Sequence, residues 1–133
     1  MLNSTPAGVF GGVEQWMVRA SAGLIDRGHY VHAMGRPKSR FISRMSGAGV
    51  PIHTTRSGVD YGPFSALRIA SVAGRHSIEI AIVNYNKELT QVALARHISP
   101  IRKVVGRSVL PMMDTDTRHR RLYNRHLDGM ITP

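Results

Sequence analysis

Residues 77–84 read SIEIAIVN, and this stretch is the most strand-like in the chain. Its apolar residues form a nearly continuous run: Ile78, Ile80, Ile82 and Val83. A strand with one solvent-exposed face alternates apolar and polar residues, whereas a strand buried on both faces has a continuous apolar run. We therefore expect a buried strand of a parallel sheet here. A helix is predicted directly after it, over 87–97.

The same alternation of strand and helix extends in both directions from this stretch. Before it, the pattern predicts helices over 13–27, 38–47 and 63–74, and strands in HYVHAM (29–34) and GVPIHTT (49–55). After it, the pattern predicts a strand in RKVVGR (102–107), a helix over 114–127 and a strand in GMIT (129–132). Such alternation is typical of a parallel sheet with right-handed crossovers. The predicted fold class is α/β, a Rossmann-like doubly wound parallel sheet.

The spacing of apolar residues also predicts which side chains these elements bury. In the first helix the expected set is Val13, Trp16, Met17, Ala20, Leu24 and Ile25, and Gly28 is expected to end the helix. In the helix over 63–74 the expected set is Phe64, Leu67, Ile69, Ala70 and Ala73. In the strand within 29–34 it is Tyr30, Val31 and Met34.

The first strand of the predicted sheet is unusually short. A doubly wound domain normally begins with a full strand before its first glycine-rich loop, and here only Met1, Leu2 and Asn3 precede that loop. We therefore expect a truncated first strand. Residues 1–133 are predicted to form a single Rossmann-like domain that is a fragment of a larger protein. A sheet edge exposed by the truncation would favour self-association.

Composition limits the classes of function. The chain has 133 residues, no cysteine and a formal net charge of +10. Such a charge attracts polyanions, which include nucleic acid, anionic lipid and phosphorylated small molecules. The histidines are scattered along the sequence without metal-ligand spacing, so no metal site is expected. The chain has neither a signal-peptide pattern nor an apolar run near the roughly 20 residues of a membrane span, and a cytoplasmic location is expected.

Residues 5–12, TPAGVFGG, form a loop before the first helix and are called the glycine loop below. Gly11 and Gly12 match neither G-x-G-x-x-G nor the Walker sequence. Two interpretations remain open. The glycines make a plain turn, or they let a phosphate approach the free N–H groups of the helix N-terminus.

From Gly11 onward the sequence resembles the N-terminal domain of GT-B glycosyltransferases, in particular the large retaining family 4. The resemblance starts in GGVEQWMVRASAGLIDRGHYVHAMGRP (11–37), with its Gly-Gly pair, Glu14 and the sequence Arg-Gly-His at 27–29. It continues in GVPIHTT (49–55), ALRIA (66–70), VNYNKE (83–88), VVGRSVLP (104–111) and RRLYNRHLDGMITP (120–133). The motifs cover nearly the whole chain in the family's order.

The resemblance implies a cleft that binds the donor phosphates and the acceptor. The residues it assigns to that cleft are Gly11, Gly12, Glu14, Asn84, Asn86, Lys87, Arg107 and Ser108. Many relatives carry Arg-His or Arg-Arg-Gly at the strand end where this chain has Arg107 and Ser108. Residue types alone allow simpler roles as well: Asn84 as a helix cap, and Lys87 and Glu88 as solvated charges at a helix N-terminus. No catalytic residue is assigned.

The function implied is transfer of a sugar from a nucleotide-sugar to a saccharide or lipid-linked acceptor in envelope or polysaccharide biosynthesis. The nucleotide-sugar is a co-substrate, and neither a metal nor another cofactor is expected. The family's donor-binding residues belong to a C-terminal domain, so the isolated chain is expected to be inactive. Two alternatives stay open: a basic nucleic-acid-binding module, disfavoured by 6% aromatic residues, and a non-catalytic α/β domain that binds a small molecule.

Five arginines lie in two predicted helices: Arg40, Arg44, Arg118, Arg121 and Arg125. Solvated helix faces are the simplest explanation of such residues. The alternative is contact with an anionic membrane surface, which suits an enzyme with a lipid-linked acceptor. That alternative places the chain at the inner face of the plasma membrane.

Overall fold

A computed structural model describes residues 1–55, 63–107 and 117–132, with residues 117–119 described at the backbone level alone. The chain divides into two compact units, residues 1–57 and 58–133. Each unit contains a three-stranded parallel sheet whose strands follow one another in chain order. The α/β fold class is therefore confirmed. The prediction of one domain over 1–133 stays a prediction.

The N-terminal unit is a βαβαβ arrangement. Its elements are β1 (Leu2–Asn3), α1 (Gly12–Ile25), β2 (Ala33–Gly35), α2 (Arg40–Gly47) and β3 (Ile52–Thr54). In its sheet Leu2 is paired with Met34, and Met34 with His53. Seven buried residues from the two helices, β2 and the segments beside them form its core: Met17, Val31, Ala33, Phe41, Ile42, Met45 and Val50.

Local sequence explains where the two helices of this unit begin and end. The Ser39 hydroxyl accepts a hydrogen bond from the Ile42 N–H at 3.3 Å and so caps the start of α2. Gly28 follows α1 with φ of 83°, and Gly49 follows α2 with φ of 74°. These are left-handed conformations that favour glycine at helix C-termini. The prediction that Gly28 ends the first helix is confirmed.

The C-terminal unit repeats the alternation after an additional helix. Its elements are α3 (Pro63–Arg75), β4 (Ile80–Val83), α4 (Asn86–Arg96), β5 (Lys103–Arg107), α5 (Thr117–His126) and β6 (Gly129–Ile131). Ala81 is paired with Val104, and Gly106 with Met130. Helix α3 packs against α4. The unit buries mainly small and medium apolar side chains, among them Ile69, Ala70, Ala73, Leu89, Val92 and Val104.

Several burial predictions are wrong. Tyr30 is 94% exposed, because it lies in the connection before β2 where strand alternation does not apply. Phe64 is 83% exposed and Leu67 is exposed, because α3 turns a different face inward. That face carries small residues such as Ala66 and Ala70.

The strand SIEIAIVN is also less covered than its apolar run predicts. Ile80 is exposed, Ile82 is half-buried, and Ala81 and Val83 are buried. Within β4 burial therefore alternates along the strand. In α1, Met17 is buried as predicted and Ile25 is exposed, while Val13, Trp16, Ala20 and Leu24 are half-buried.

Candidate functional site

The glycine loop is held at both ends by one buried glutamate. Glu14 is the third residue of α1 and is 2% exposed. Its Oε2 accepts a hydrogen bond from the Gly11 N–H at 2.8 Å, and its Oε1 accepts one from Asn3 Nδ2 at 3.0 Å. Asn3 is the last residue of β1, so Glu14 connects the strand end to the helix start. The carboxylate is thus occupied within the protein.

The hydrogen bonds to Glu14 also determine its ionisation. Burial raises the pKa of this carboxyl, but the hydrogen bonds from the Gly11 backbone, the Asn3 side chain, the Glu14 backbone and the Thr5 side chain together lower it by more. The net result is a pKa below the ordinary value for glutamate. Asn3 is itself fixed, because its Oδ1 accepts hydrogen bonds from the Thr5 N–H at 3.0 Å and from the Thr5 hydroxyl.

Gly11 and Gly12 are exposed, and nothing in their conformation requires glycine. Gly11 has φ of −120°, an extended backbone that any residue adopts. A Cβ at Gly12 would meet no atom within 4 Å, and one at Gly11 would meet Glu14 Oε2 at an ordinary 3.6 Å. Neither glycine is therefore required by its backbone conformation. Gly12, the first residue of α1, therefore leaves open space where a side chain would stand.

This open space adjoins unsatisfied backbone donors. The Gly11 N–H is taken by Glu14, and the next donors along α1 are the N–H groups of Gly12 and Val13. The first N–H groups of a helix lack intrahelical acceptors. Among the residues that the structure describes, no acceptor is found for these two. Together with the helix dipole, they form a place where an anion can bind.

The C-terminal unit has a similar arrangement where β4 leads into α4. Glu88 is the third residue of α4 and is fully buried. Its Oε2 accepts hydrogen bonds from the Asn84 N–H at 2.8 Å and the Tyr85 N–H at 3.4 Å. The interpretation of Glu88 as a solvated charge is therefore wrong. The N-cap position belongs to Tyr85, not to Asn84.

The other predicted residues of this unit are placed as follows. Asn86 begins α4, and its Oδ1 accepts a hydrogen bond from the Tyr123 hydroxyl of α5. Lys87 follows it and is half-buried. Arg107 is the last residue of β5 and is also half-buried. Ser108 lies outside the described residues.

The arginines occupy exposed positions. Arg40 and Arg44 are exposed on α2, and the Arg44 guanidinium lies 5.7 Å from the centre of the Phe10 ring. On α5, a depression of about 500 Å³ is lined by Arg120, Arg121, Asn124 and Arg125, called the arginine surface below. Arg120 and Asn124 were not singled out from the sequence. The side chain of Arg118 lies outside the described residues.

Two histidines contact each other in the N-terminal unit. His32 Nδ1 lies 3.0 Å from His53 Nε2. These histidines are 21 positions apart in the sequence, and the parallel pairing of β2 with β3 brings them together.

No helix in the described ranges is long and apolar enough to cross a membrane. No protein-family model matches the sequence, and comparison with curated proteins finds no match either. Among solved structures, the fold is similar to that of a glycosyltransferase from Rickettsia africae ESF-5, with a TM-score of 0.72 and 18% sequence identity. The similarity covers 93% of this chain and 33% of that protein, so the chain spans about a third of its length. The chain therefore has a glycosyltransferase-like α/β fold.

Proposed function

We propose that the chain acts as the N-terminal, acceptor-side domain of a GT-B glycosyltransferase of the family 4 type. The enzyme would transfer a sugar from a nucleotide-sugar to a saccharide or lipid-linked acceptor in envelope or polysaccharide biosynthesis. The observation that carries the proposal is the similarity to a glycosyltransferase fold over 93% of the chain. The order of the sequence motifs supports it independently. No metal or further cofactor is included in the proposal.

In this function the glycine loop binds a phosphate of the donor. The N–H groups of Gly12 and Val13 would donate to phosphate oxygens, and a Cβ at Gly12 would meet no atom within 4 Å, which leaves room for a phosphate there. These donors would stabilise the charge that develops on the departing diphosphate. Glu14 acts as a positioning residue, because its carboxylate is buried against Gly11 and Asn3.

In the C-terminal unit, Lys87 and Arg107 are the proposed ligand-binding cations. Lys87 follows the carboxyl end of β4, and Arg107 is the last residue of β5. Open α/β sheets bind their ligands at such strand ends. A guanidinium such as that of Arg107 can hold a phosphate or carboxylate with two hydrogen bonds. Asn86 is proposed to contribute through its contact with Tyr123, which fixes the start of α4 against α5.

The proposed partner beyond the substrates is an anionic bilayer surface at the inner face of the plasma membrane. The arginine surface on α5 and the exposed Arg40 and Arg44 on α2 support it. Positively charged residues near an anionic leaflet each contribute about 1 kcal/mol to membrane association. A lipid-linked acceptor would be reached from such a surface.

Titration of the chain with inorganic diphosphate tests the role of the glycine loop. We expect Gly12→Val to weaken binding by about tenfold, equal to about 1.4 kcal/mol, because its side chain would fill the space in front of the donors. The melting temperature should not fall, since that space contains no protein atom within 4 Å of the added Cβ. Gly74→Val is the matched control, as its Cβ also meets nothing within 4 Å. Equal binding by all three proteins would refute the phosphate role.

A turnover assay with a panel of nucleotide-sugars tests the domain assignment. The isolated chain should show no turnover, because the family's donor-binding residues lie in a separate domain. Robust transfer by the chain alone would show that the acceptor-side assignment is wrong.

A further inference from the structure

The contact between His32 and His53, called the histidine pair below, is not used by the proposed function. His53 lies in the middle of β3, and His32 directly precedes β2. Met34 of β2 is paired with His53, and side chains two residues apart in a strand lie on the same face. His32 therefore projects from the same face of the sheet as His53. Both side chains are half-buried.

The two imidazoles meet edge to edge. The ring centres are 5.3 Å apart, the ring planes differ by 19°, and the facing nitrogens are 3.0 Å apart. The centre separation exceeds the nitrogen separation by about the two ring radii, so both nitrogens lie close to the line between the centres. His32 Nδ1 and His53 Nε2 thus point at each other and share one proton in a hydrogen bond.

Two imidazole nitrogens this close are nearly in place to bind one transition-metal ion. Zinc binds histidine nitrogen at about 2.0–2.1 Å, and a tetrahedral ion then holds two such nitrogens about 3.3 Å apart. To reach this arrangement, the two facing nitrogens must move apart by a few tenths of an ångström, and the rings must tilt so that both nitrogens point at the ion. Imidazole suits zinc, copper and nickel, and these are the ions expected here.

The proton between the two imidazoles does not prevent metal binding. In the neutral pair each ring carries one proton, and the proton between the rings belongs to one of the two facing nitrogens. For both facing nitrogens to bind an ion, that proton must move to the other nitrogen of the same ring. This is a change of tautomer without net loss of a proton.

We propose that His32 and His53 form a binding site for a divalent transition-metal ion such as Zn²⁺. The two imidazoles supply two ligands, and the other coordination positions are filled by water or by a small ligand. The site lies beside the amino end of β2, whereas the glycine loop leaves from the carboxyl end of β1. An ion here would cross-link β2 and β3 and would not touch the proposed phosphate site.

Titration of the full chain with Zn²⁺, followed by calorimetry, tests the site. We expect saturation at one ion per chain for the wild type. His32→Gln and His53→Gln should each lose this saturable binding, because one imidazole alone cannot chelate the ion. His29→Gln is the matched control, since His29 is an exposed histidine of the same unit, and it should bind as the wild type does. Absence of saturable binding by the wild type, or unchanged binding by His53→Gln, would overturn the proposal.

A second measurement on the wild type covers the case in which a variant does not fold. The imidazole carbon-bound proton resonances are followed by NMR while Zn²⁺ is added, after assignment of the histidines. Shifts of His32 and His53 together, at one equivalent, are the expected result. Shifts confined to other histidines would contradict the proposed site.

Discussion

At the scale of single residues, two buried glutamates define how each unit makes the turn from its strand into its helix. Glu14 and Glu88 both occupy the third position of a helix and both accept backbone N–H groups that precede it. A carboxylate in this position satisfies donors that a helix start leaves unpaired. It also places a negative charge near the positive end of the helix dipole. Both units thus have a buried glutamate that accepts backbone N–H groups at the start of a helix.

Glu14 should make the stability of the chain depend on pH in the acid range. Its pKa is lowered in the folded state, so its contribution is complete above the unfolded pKa, which is about 4.3. The contribution is lost as the pH falls through the lower folded pKa. Glu14→Gln should cost about 1–3 kcal/mol near neutral pH and should reduce the acid-induced loss of stability. Urea unfolding between neutral and acid pH measures both effects.

Glu79→Gln is the matched control for this experiment. Glu79 makes an exposed ion pair with Arg102 at 3.3 Å, and such pairs contribute about 1 kcal/mol or less. The two variants have the same net charge. If both had the same stability at every pH, the role given to the Glu14 hydrogen bonds would be wrong.

At the scale of elements, the packing of α2 on the first sheet depends on one glycine. A Cβ at Gly35 would lie 3.0 Å from the Asn3 carbonyl oxygen and 3.1 Å from Ile42 Cγ1. Gly35 is therefore needed for the close approach of β1, β2 and α2. Gly47 ends α2 itself, and a Cβ there would meet nothing within 4 Å.

Gly35→Ala should consequently destabilise the chain, whereas Gly47→Ala should not. We expect Gly35→Ala to lower the free energy of unfolding by about 1–3 kcal/mol, because backbone and core atoms must shift. Gly47→Ala should be neutral or stabilising by up to about 1 kcal/mol, because alanine favours the helix and restricts the unfolded chain. Chemical denaturation of both variants provides the comparison. A Gly35→Ala variant as stable as the wild type would show that α2 does not pack as closely as described.

The elements themselves were largely predictable from the sequence, and their buried faces were less so. Helix α1 was expected over 13–27 and extends over Gly12–Ile25, and its glycine stop at Gly28 was anticipated. Helix α3 was also placed correctly, yet Phe64 and Leu67 are exposed. Apolar spacing indicates a helix, but which face is buried depends on the partner. Here α3 packs against α4, and the buried residues of α3 include Ala66, Ala70 and Ala73.

At the scale of the whole molecule, the net charge of +10 should produce membrane association that depends on salt. The chain should bind vesicles that contain phosphatidylglycerol and should not bind pure phosphatidylcholine vesicles. Binding should weaken as salt is raised, because the Debye length falls from about 10 Å at 0.1 M to about 3 Å at 1 M. A double variant, Arg121→Ala with Arg125→Ala, should bind roughly 30-fold more weakly at about 1 kcal/mol per arginine. Vesicle co-sedimentation measures each of these quantities.

The control for this test removes two positive charges from a different helix. Arg68 and Arg75 are exposed residues of α3, and their double replacement by alanine should leave most of the binding intact. Equal losses in the two double variants would indicate an attraction by net charge alone. The arginine surface would then have no specific role.

The sequence by itself determined the alternation of strands and helices, the end of α1 before Gly28, the start of α2 after Ser39, and the charge that attracts anions. These features depend on local backbone preference and on composition, which a linear pattern contains. The tertiary structure decided that Glu14 is buried against Asn3, that Gly12 faces open space, and that His32 meets His53. The two contacts join residues that are 11 and 21 positions apart. They and the space at Gly12 arise because parallel pairing and helix packing set a register that no local pattern specifies.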